Sequence, residues 1–173
     1  GVGLGVIPTG SGNGWARHFH IPLRVKNAVQ AYAHRSVLKM DVGLVNKHPF
    51  FITCSLAADA QLVKRFERSP VRGVFPYVVA TAVELMEYKP QPFHALIDGK
   101  DHITFPDPWI FTIANLSQYG GGFQIAPSAL HDDGLFELVV ILQRDLGRVL
   151  PKLPKFFVGT ITKLDGVFLR RCH

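Results

Sequence analysis

The chain is poor in cysteine, with two among 173 residues, Cys54 and Cys172. Two thiols so far apart exclude the disulfide framework of a small secreted domain, and neither reads as a metal ligand, so a reducing cytoplasm is the expected setting. Long apolar runs are missing too. None reaches the roughly 18 residues that a membrane-spanning helix needs, and the first residues carry no signal-peptide pattern. A soluble or peripheral protein is expected, cytoplasmic or at the inner membrane surface. Charged residues are sparse at 18% against 47% hydrophobic, which excludes disorder and leaves enough apolar side chains for a core. There is no internal repeat and no low-complexity tract. RNP-like, zinc-finger and helix-turn-helix patterns are absent and the basic residues are dispersed, which argues against nucleic acid as a partner. The charge that is present is unbalanced at +6, favouring anionic partners such as nucleotide phosphates, acidic lipid head groups or nucleic acid, among which the charge alone does not choose.

What is present begins with glycine. In Val6-Ile7-Pro8-Thr9-Gly10-Ser11-Gly12-Asn13-Gly14-Trp15-Ala16-Arg17 an apolar, strand-like run breaks into a turn and then reads as a helix. Gly10, Gly12 and Gly14 let backbone approach an anion, while the Ser11 hydroxyl and the amides at the helix start supply donors. The competing reading is an ordinary strand-to-helix connection capped by Ser11 or Asn13. The loop is neither a Walker A sequence nor a GxGxxG fingerprint in register.

Along the chain, residues 1–8 read as a short strand, 14–19 as a helical turn and 23–34 as a helix. Residues 38–45 and 50–54 read as an antiparallel pair turning at Asn46 to Pro49. Phe75, Val79, Ala82 and Met86 recur at helical spacing, predicting an amphipathic helix over 74–88 that stops before Pro90. Strands follow at 93–97, 102–105 and 109–114, the first two joined by a turn at Asp98-Gly99-Lys100. Residues 134–142 form an apolar strand, 146–158 a helix interrupted by Pro151 and Pro154, and 167–171 a last strand. A domain boundary is expected near Ser36.

A second segment, Asn115-Leu116-Ser117-Gln118-Tyr119-Gly120-Gly121-Gly122-Phe123-Gln124-Ile125-Ala126-Pro127, runs on through Ser128-Ala129-Leu130-His131-Asp132-Asp133-Gly134-Leu135. Together the two segments resemble the diacylglycerol kinase catalytic superfamily, which includes bacterial lipid kinases, sphingosine kinases and, more distantly, NAD kinases. Pro8 to Asn13 is similar to the family's Pro-x-Gly-Thr/Ser-x-Asn loop, and Gly120 to Gly134 to its Gly-Gly-Gly, Ala-Pro and Asp-Asp-Gly elements. The resemblance implies an α/β plus β-rich, two-domain architecture: residues 1–36 the end of an α/β nucleotide domain, residues 37–173 a β-rich lipid-substrate domain. It also implies ATP held by Gly10, Ser11, Gly12 and Asn13, and Mg²⁺ bound by the Asp133 side chain with the Leu130 and Leu135 carbonyls. Oxygen ligands suit that ion. The family's Gly-Gly-Asp-Gly-Thr loop is expected upstream and its general base downstream, outside this chain. Asp165-Gly166-Val167 has no carboxylate at the third position and takes no catalytic role, and an incomplete chain is expected to be inactive alone.

From the residues alone, Asp132 and Asp133 fit metal ligation, acid/base work or turn chemistry, with the turn favoured. Asp59, in Ser55-Leu56-Ala57-Ala58-Asp59-Ala60, fits a helix cap. Its segment also resembles sphingosine kinases, which implies contact with the lipid head and, through the carboxylate, a preference for an amine-bearing lipid. Lys64, Arg65, Arg68 and Arg72 fit either a solvated face or anionic head groups. Trp15, Trp109 and Tyr119 read as packing residues and His131 as a surface residue. The expected function is ATP-dependent transfer of a phosphoryl group to a lipid hydroxyl, with a lipid substrate, peripheral membrane contact and a homodimer compatible with it. The alternatives are a noncatalytic lipid- or partner-binding module of the same fold and a soluble-substrate kinase akin to NAD kinases.

Overall fold

The structure, a computed structural model, describes residues 3–34, 37–68 and 87–173. The helix expected over 74–88 lies almost wholly outside the described residues. At the centre is a four-stranded antiparallel sheet in the order β10 (Val167–Cys172), β9 (Phe136–Leu142), β6 (Pro108–Ala114), β3 (Thr53–Ser55). β6 and β9 are nearly unbroken apolar runs rather than alternating ones because both faces of the sheet are covered. Val139 and Ile141 pack on one face with Phe156, Ile161, Leu146 and Val149 from the helical C-terminal segment. Leu138 and Val140 point to the other face, against Phe111, Ile97 and Phe105.

That second face is closed by the hairpin of β4 (Phe93–Ile97) and β5 (Asp101–Phe105). Both strands alternate, so Phe93, Ala95, Ile97, Ile103 and Phe105 face the sheet, while His94 and His102 face solvent. The turn takes positive φ at Asp98 (53°) and Gly99 (70°), the backbone that an Asp-Gly hairpin supplies. A smaller hairpin pairs β1 (Gly43–Val45) with β2 (His48–Phe50) through Asn46 and Lys47. The expected pairing partner for 38–45, the apolar run 50–54, is therefore divided: Phe50 ends β2, while Thr53 to Ser55 leave to pair with β6.

Helices α1 (Gly14–His18), α2 (Val25–Tyr32) and α3 (Ala58–Arg68) stand where the sequence places helical segments. The 146–158 stretch resolves into α4 (Leu146–Val149) and α5 (Pro154–Phe157), separated by a 3₁₀ turn that holds Pro151. A proline ring removes one helix donor and crowds the preceding turn. The strand expected over 1–8 does not form among described residues 3–8, beside which no strand lies among the described residues. Instead the Val6 N–H donates to the Tyr32 hydroxyl (2.7 Å) and that hydroxyl donates to Val6 O (2.6 Å), tying the segment to α2. No helix among the described residues is long and apolar enough to cross a membrane.

Candidate functional site

The two glycine-rich segments meet. Asn13 forms an antiparallel bridge with Gly120, and the Gly121 N–H donates to Gly12 O at 2.7 Å. The approach is backbone on backbone: a Cβ at Gly120 would lie 3.0 Å from Gly12 Cα, and one at Gly14 would lie 2.8 Å from Tyr119 O. Residues 118–124 are therefore a short hairpin, β7 (Gln118–Gly120) with β8 (Phe123–Gln124), which the sequence reading missed because each strand is too short to show a period. The loop is also braced internally. Asn13, at φ 49°, accepts from the Gly10 N–H (3.1 Å) and donates to Gly10 O (2.7 Å), while Arg17 Nε donates to Gly12 O (3.1 Å). Neither Ser11 nor Asn13 caps α1 through its side chain. Gly10 and Ser11 are left exposed at the loop tip.

Behind β7 lies a buried polar cluster. Asp59, 5% exposed in the first turn of α3, accepts from the Ala57 N–H at Oδ1 (3.2 Å) and from Tyr119 (2.8 Å) and Thr112 at Oδ2. Ser55 reaches Thr112 Oγ1 at 3.1 Å. Each hydroxyl has one proton, so with Thr112 and Tyr119 both donating to Asp59, Ser55 donates to Thr112. Burial, and next the Asp59 carboxylate, push the Tyr119 phenol well above its ordinary value, which keeps the donor protonated. Tyr119 is thus more than the packing residue expected, although its ring also stacks on Phe123. A head group that reaches Asp59 must displace one of these hydroxyls.

Asp133 sits at the turn into β9. Its Oδ1 accepts from the Leu135 N–H (3.1 Å) and its Oδ2 faces Arg171 Nη1 at 3.6 Å, while Asp132 and Leu130 are exposed. Arg171 also donates to Glu137 (3.2 Å), its cross-strand partner, and to Ser128 O (2.9 Å). Asp41 joins the same turn by accepting from the Gly134 N–H (2.7 Å), and Asn115 Nδ2 holds Asp41 O (2.7 Å). None of Asp41, Asn115, Glu137 and Arg171 stood out in the sequence. Among the described residues no three His, Cys, Asp or Glu side chains converge as a metal site, and the expected Mg²⁺ site asks for only one, Asp133. Acceptors outnumber donors here: Asn115 Oδ1 and Glu137 Oε2 are buried without a partner among the described residues. An all-oxygen surplus of that kind fits a hard cation.

His18 links this turn to the glycine loop. Its Nδ1 accepts from the Ser117 N–H (3.4 Å) and contacts Ser117 Oγ (3.0 Å), and its ring stands edge-on to His131, centroids 5.7 Å apart. His131 is half-buried rather than on the surface, packed on Phe19 as well. Burial, then His131 and His20, lower the His18 pKa.

Residues 53–173 match the family model of the YegS C-terminal NAD kinase beta sandwich-like domain, and residues 1–45 match that of the diacylglycerol kinase catalytic domain. The chain belongs to the family these models describe, its β-rich part being the YegS C-terminal NAD kinase beta sandwich-like domain. Among curated relatives, a diacylglycerol kinase of Mycobacterium tuberculosis is 29% identical over 98% of this chain and 57% of its own length. A protein named "Probable lipid kinase YegS-like" from Pectobacterium atrosepticum is 27% identical over 91% of this chain and 52% of its own. The chain thus spans about half the length of the curated relatives it matches. The crystal structure of a diacylglycerol kinase from Bacillus anthracis str. Sterne superposes with a TM-score of 0.68 at 17% identity, covering 98% of this chain and 55% of that one. That likeness shows the fold.

Proposed function

We propose that the protein transfers the γ-phosphoryl group of ATP to a lipid hydroxyl, of diacylglycerol or sphingoid-base type. The observation that carries this reading is the bridge from Asn13 to Gly120, which assembles two segments distant in the sequence into one surface with an exposed loop tip. Catalysis of this transfer is mostly positioning and charge neutralisation, which a braced loop of backbone donors suits. Gly10, Ser11, Gly12 and Asn13 take the nucleotide phosphates. Asp133 and the Leu130 and Leu135 carbonyls would hold Mg²⁺, which would supply positive charge against the phosphate oxygens, and Arg171, 3.6 Å from Asp133, would give up its place as that carboxylate's countercharge. The Asp59 cluster, through its hydroxyls, faces the lipid head.

The test is transfer from γ-labelled ATP by the protein at its full natural length, offered diacylglycerols, long-chain bases and polyprenols in detergent micelles. Label in a lipid product that depends on Mg²⁺ and is lost in Ser11→Pro is the expected result. No transfer to any of the three lipid classes would refute the reading.

A further inference from the structure

The C-terminal helical segment turns apolar side chains both ways. Leu146, Val149, Phe156 and Ile161 are buried beneath it, whereas Leu153 (37% exposed), Phe157 (55%) and Val158 (69%) face solvent. Leu153 and Phe157 stand four apart, one above the other on a helical turn, and Val158 follows directly. Single exposed apolar residues are ordinary, but three neighbours on one short segment form an edge.

The charge around that edge has one sign. Between Gln143 and Leu164 there are five basic residues, Arg144, Arg148, Lys152, Lys155 and Lys163, and one acidic residue, Asp145. Arg144 and Arg148 share Asp145, at 3.9 and 3.4 Å. Lys152, Lys155 and Lys163 have no ion-pair partner among the described residues, so their charge is available to something outside the chain. The edge also adjoins the candidate site. The Phe157 ring is edge-on to Phe123, centroids 5.5 Å apart, and lies against Gly122 in the turn that docks on the glycine loop.

We propose that Leu153, Phe157 and Val158, rimmed by Lys152, Lys155 and Lys163, form a docking surface for an anionic lipid bilayer. An apolar tip with a cationic rim matches such an interface in both its parts: the rings and aliphatic chains enter the boundary between head groups and acyl chains, and the ammonium groups stay among the anionic head groups. A protein partner with a matching apolar pocket would need carboxylates placed against each lysine; a bilayer presents its charge everywhere. The biological use of the surface rests on the lipid-kinase reading, because docking here would hold the glycine loop beside the membrane that contains the acceptor.

The test is co-sedimentation of the full-length protein with phosphatidylcholine vesicles, with and without one third phosphatidylglycerol, in the absence of ATP and acceptor lipid. Binding to the mixed vesicles, at least tenfold weaker to pure phosphatidylcholine and weakened by salt, is expected. Phe157→Ser with Val158→Ser should lower partitioning at least tenfold. Lys152→Gln with Lys155→Gln should lower it about 25-fold, taking about fivefold per basic residue, and because Lys155 is exposed and Lys152 half-exposed the pair serves if the apolar variant melts early. Absence of vesicle binding, equal binding to both vesicles, or variants that bind as wild type would overturn the proposal. So would a Phe157→Ser effect on self-association with unchanged vesicle binding. Micelle-based phosphoryl transfer is unaffected by any of these outcomes, so the kinase reading stands or falls separately.

Discussion

Asp59→Ala separates a helix cap from a network node. The change removes the acceptor of three donors, the Ala57 N–H and the Tyr119 and Thr112 hydroxyls. The two hydroxyls already touch and can bond to one another, and Ser55 remains on Thr112, so one hydroxyl proton finds a new acceptor. The Ala57 N–H and the second interaction are then stranded in a buried site, at about 1–3 kcal/mol each, and relief from holding a buried carboxylate returns part of that. The expected loss is about 3 kcal/mol. Tyr119→Phe removes a single donor and should cost about 1.5 kcal/mol, and the double variant should fall short of the sum by about 1 kcal/mol because the two residues share the lost bond. Urea unfolding of the four proteins, at unchanged m-value, measures both quantities. A loss near 1 kcal/mol with full additivity is what a plain cap gives and would refute the network. Kinetics on a long-chain base and on diacylglycerol supply the second readout. If Asp59 itself meets an amine head group, its loss cuts use of the base more than tenfold and spares diacylglycerol.

Three further outcomes follow from the geometry. Gly14→Ala sits at the first position of α1, where propensity alone would stabilise by about 1 kcal/mol; the Cβ would stand 2.8 Å from Tyr119 O and 3.1 Å from Gln118 O, so a loss of about 1–3 kcal/mol in thermal or urea unfolding is expected instead. His18 has its folded pKa lowered, so the unfolded chain binds the extra proton, and the stability this neutral ring contributes is present above its unfolded pKa and lost as pH falls below about 6.5. His18→Asn, which keeps an acceptor for the Ser117 N–H without a titrating ring, should flatten the stability profile between about pH 5 and 7, and an unchanged slope would contradict this. Asp133→Asn should reduce the rise in melting temperature that Mg²⁺ gives the wild type, and reduce it more than Asp132→Asn does.

The β-rich half was legible wherever one strand's own residues set its fate. The run from Phe136 to Leu142 shows no period because Leu138 and Val140 enter one core and Val139 and Ile141 the other, and such a run reads as a strand buried on both faces. The Asp98-Gly99 hairpin was legible because its turn requires the backbone those residues adopt. Local sequence does not determine the backbone where a partner decides. Residues 3–8 are apolar enough to read as a strand, yet the Tyr32 hydroxyl takes up the Val6 backbone; the apolar run 50–54 reads as one strand and serves two. The Asp59 cluster draws on Ser55, Thr112 and Tyr119, positions up to 64 residues apart that no local period connects. The register that sets Arg171 opposite Glu137 is equally invisible until β9 and β10 are paired.

The glycines bear most directly on how the site works. Read in the sequence, Gly10, Gly12 and Gly14 all make room for an anion. In the structure Gly14 makes room for the chain itself, since a Cβ there would stand 2.8 Å from Tyr119 O, and Gly12 rests against Gly120, where it is a Cβ on Gly120 (3.0 Å from Gly12 Cα) rather than one on Gly12 (3.5 Å from Gly120 Cα) that would force a shift. Only Gly10, beside exposed Ser11, is open on the solvent side. The spacing of the motif is therefore set jointly by what the loop binds and by what it rests on. It follows that the two family segments act as a pair. A change at Gly120, which carries φ 143° and contacts only backbone, should disturb the loop tip as much as a change within the loop, whereas Gly121, with open space beside it and φ 62°, should cost backbone strain without moving Ser11.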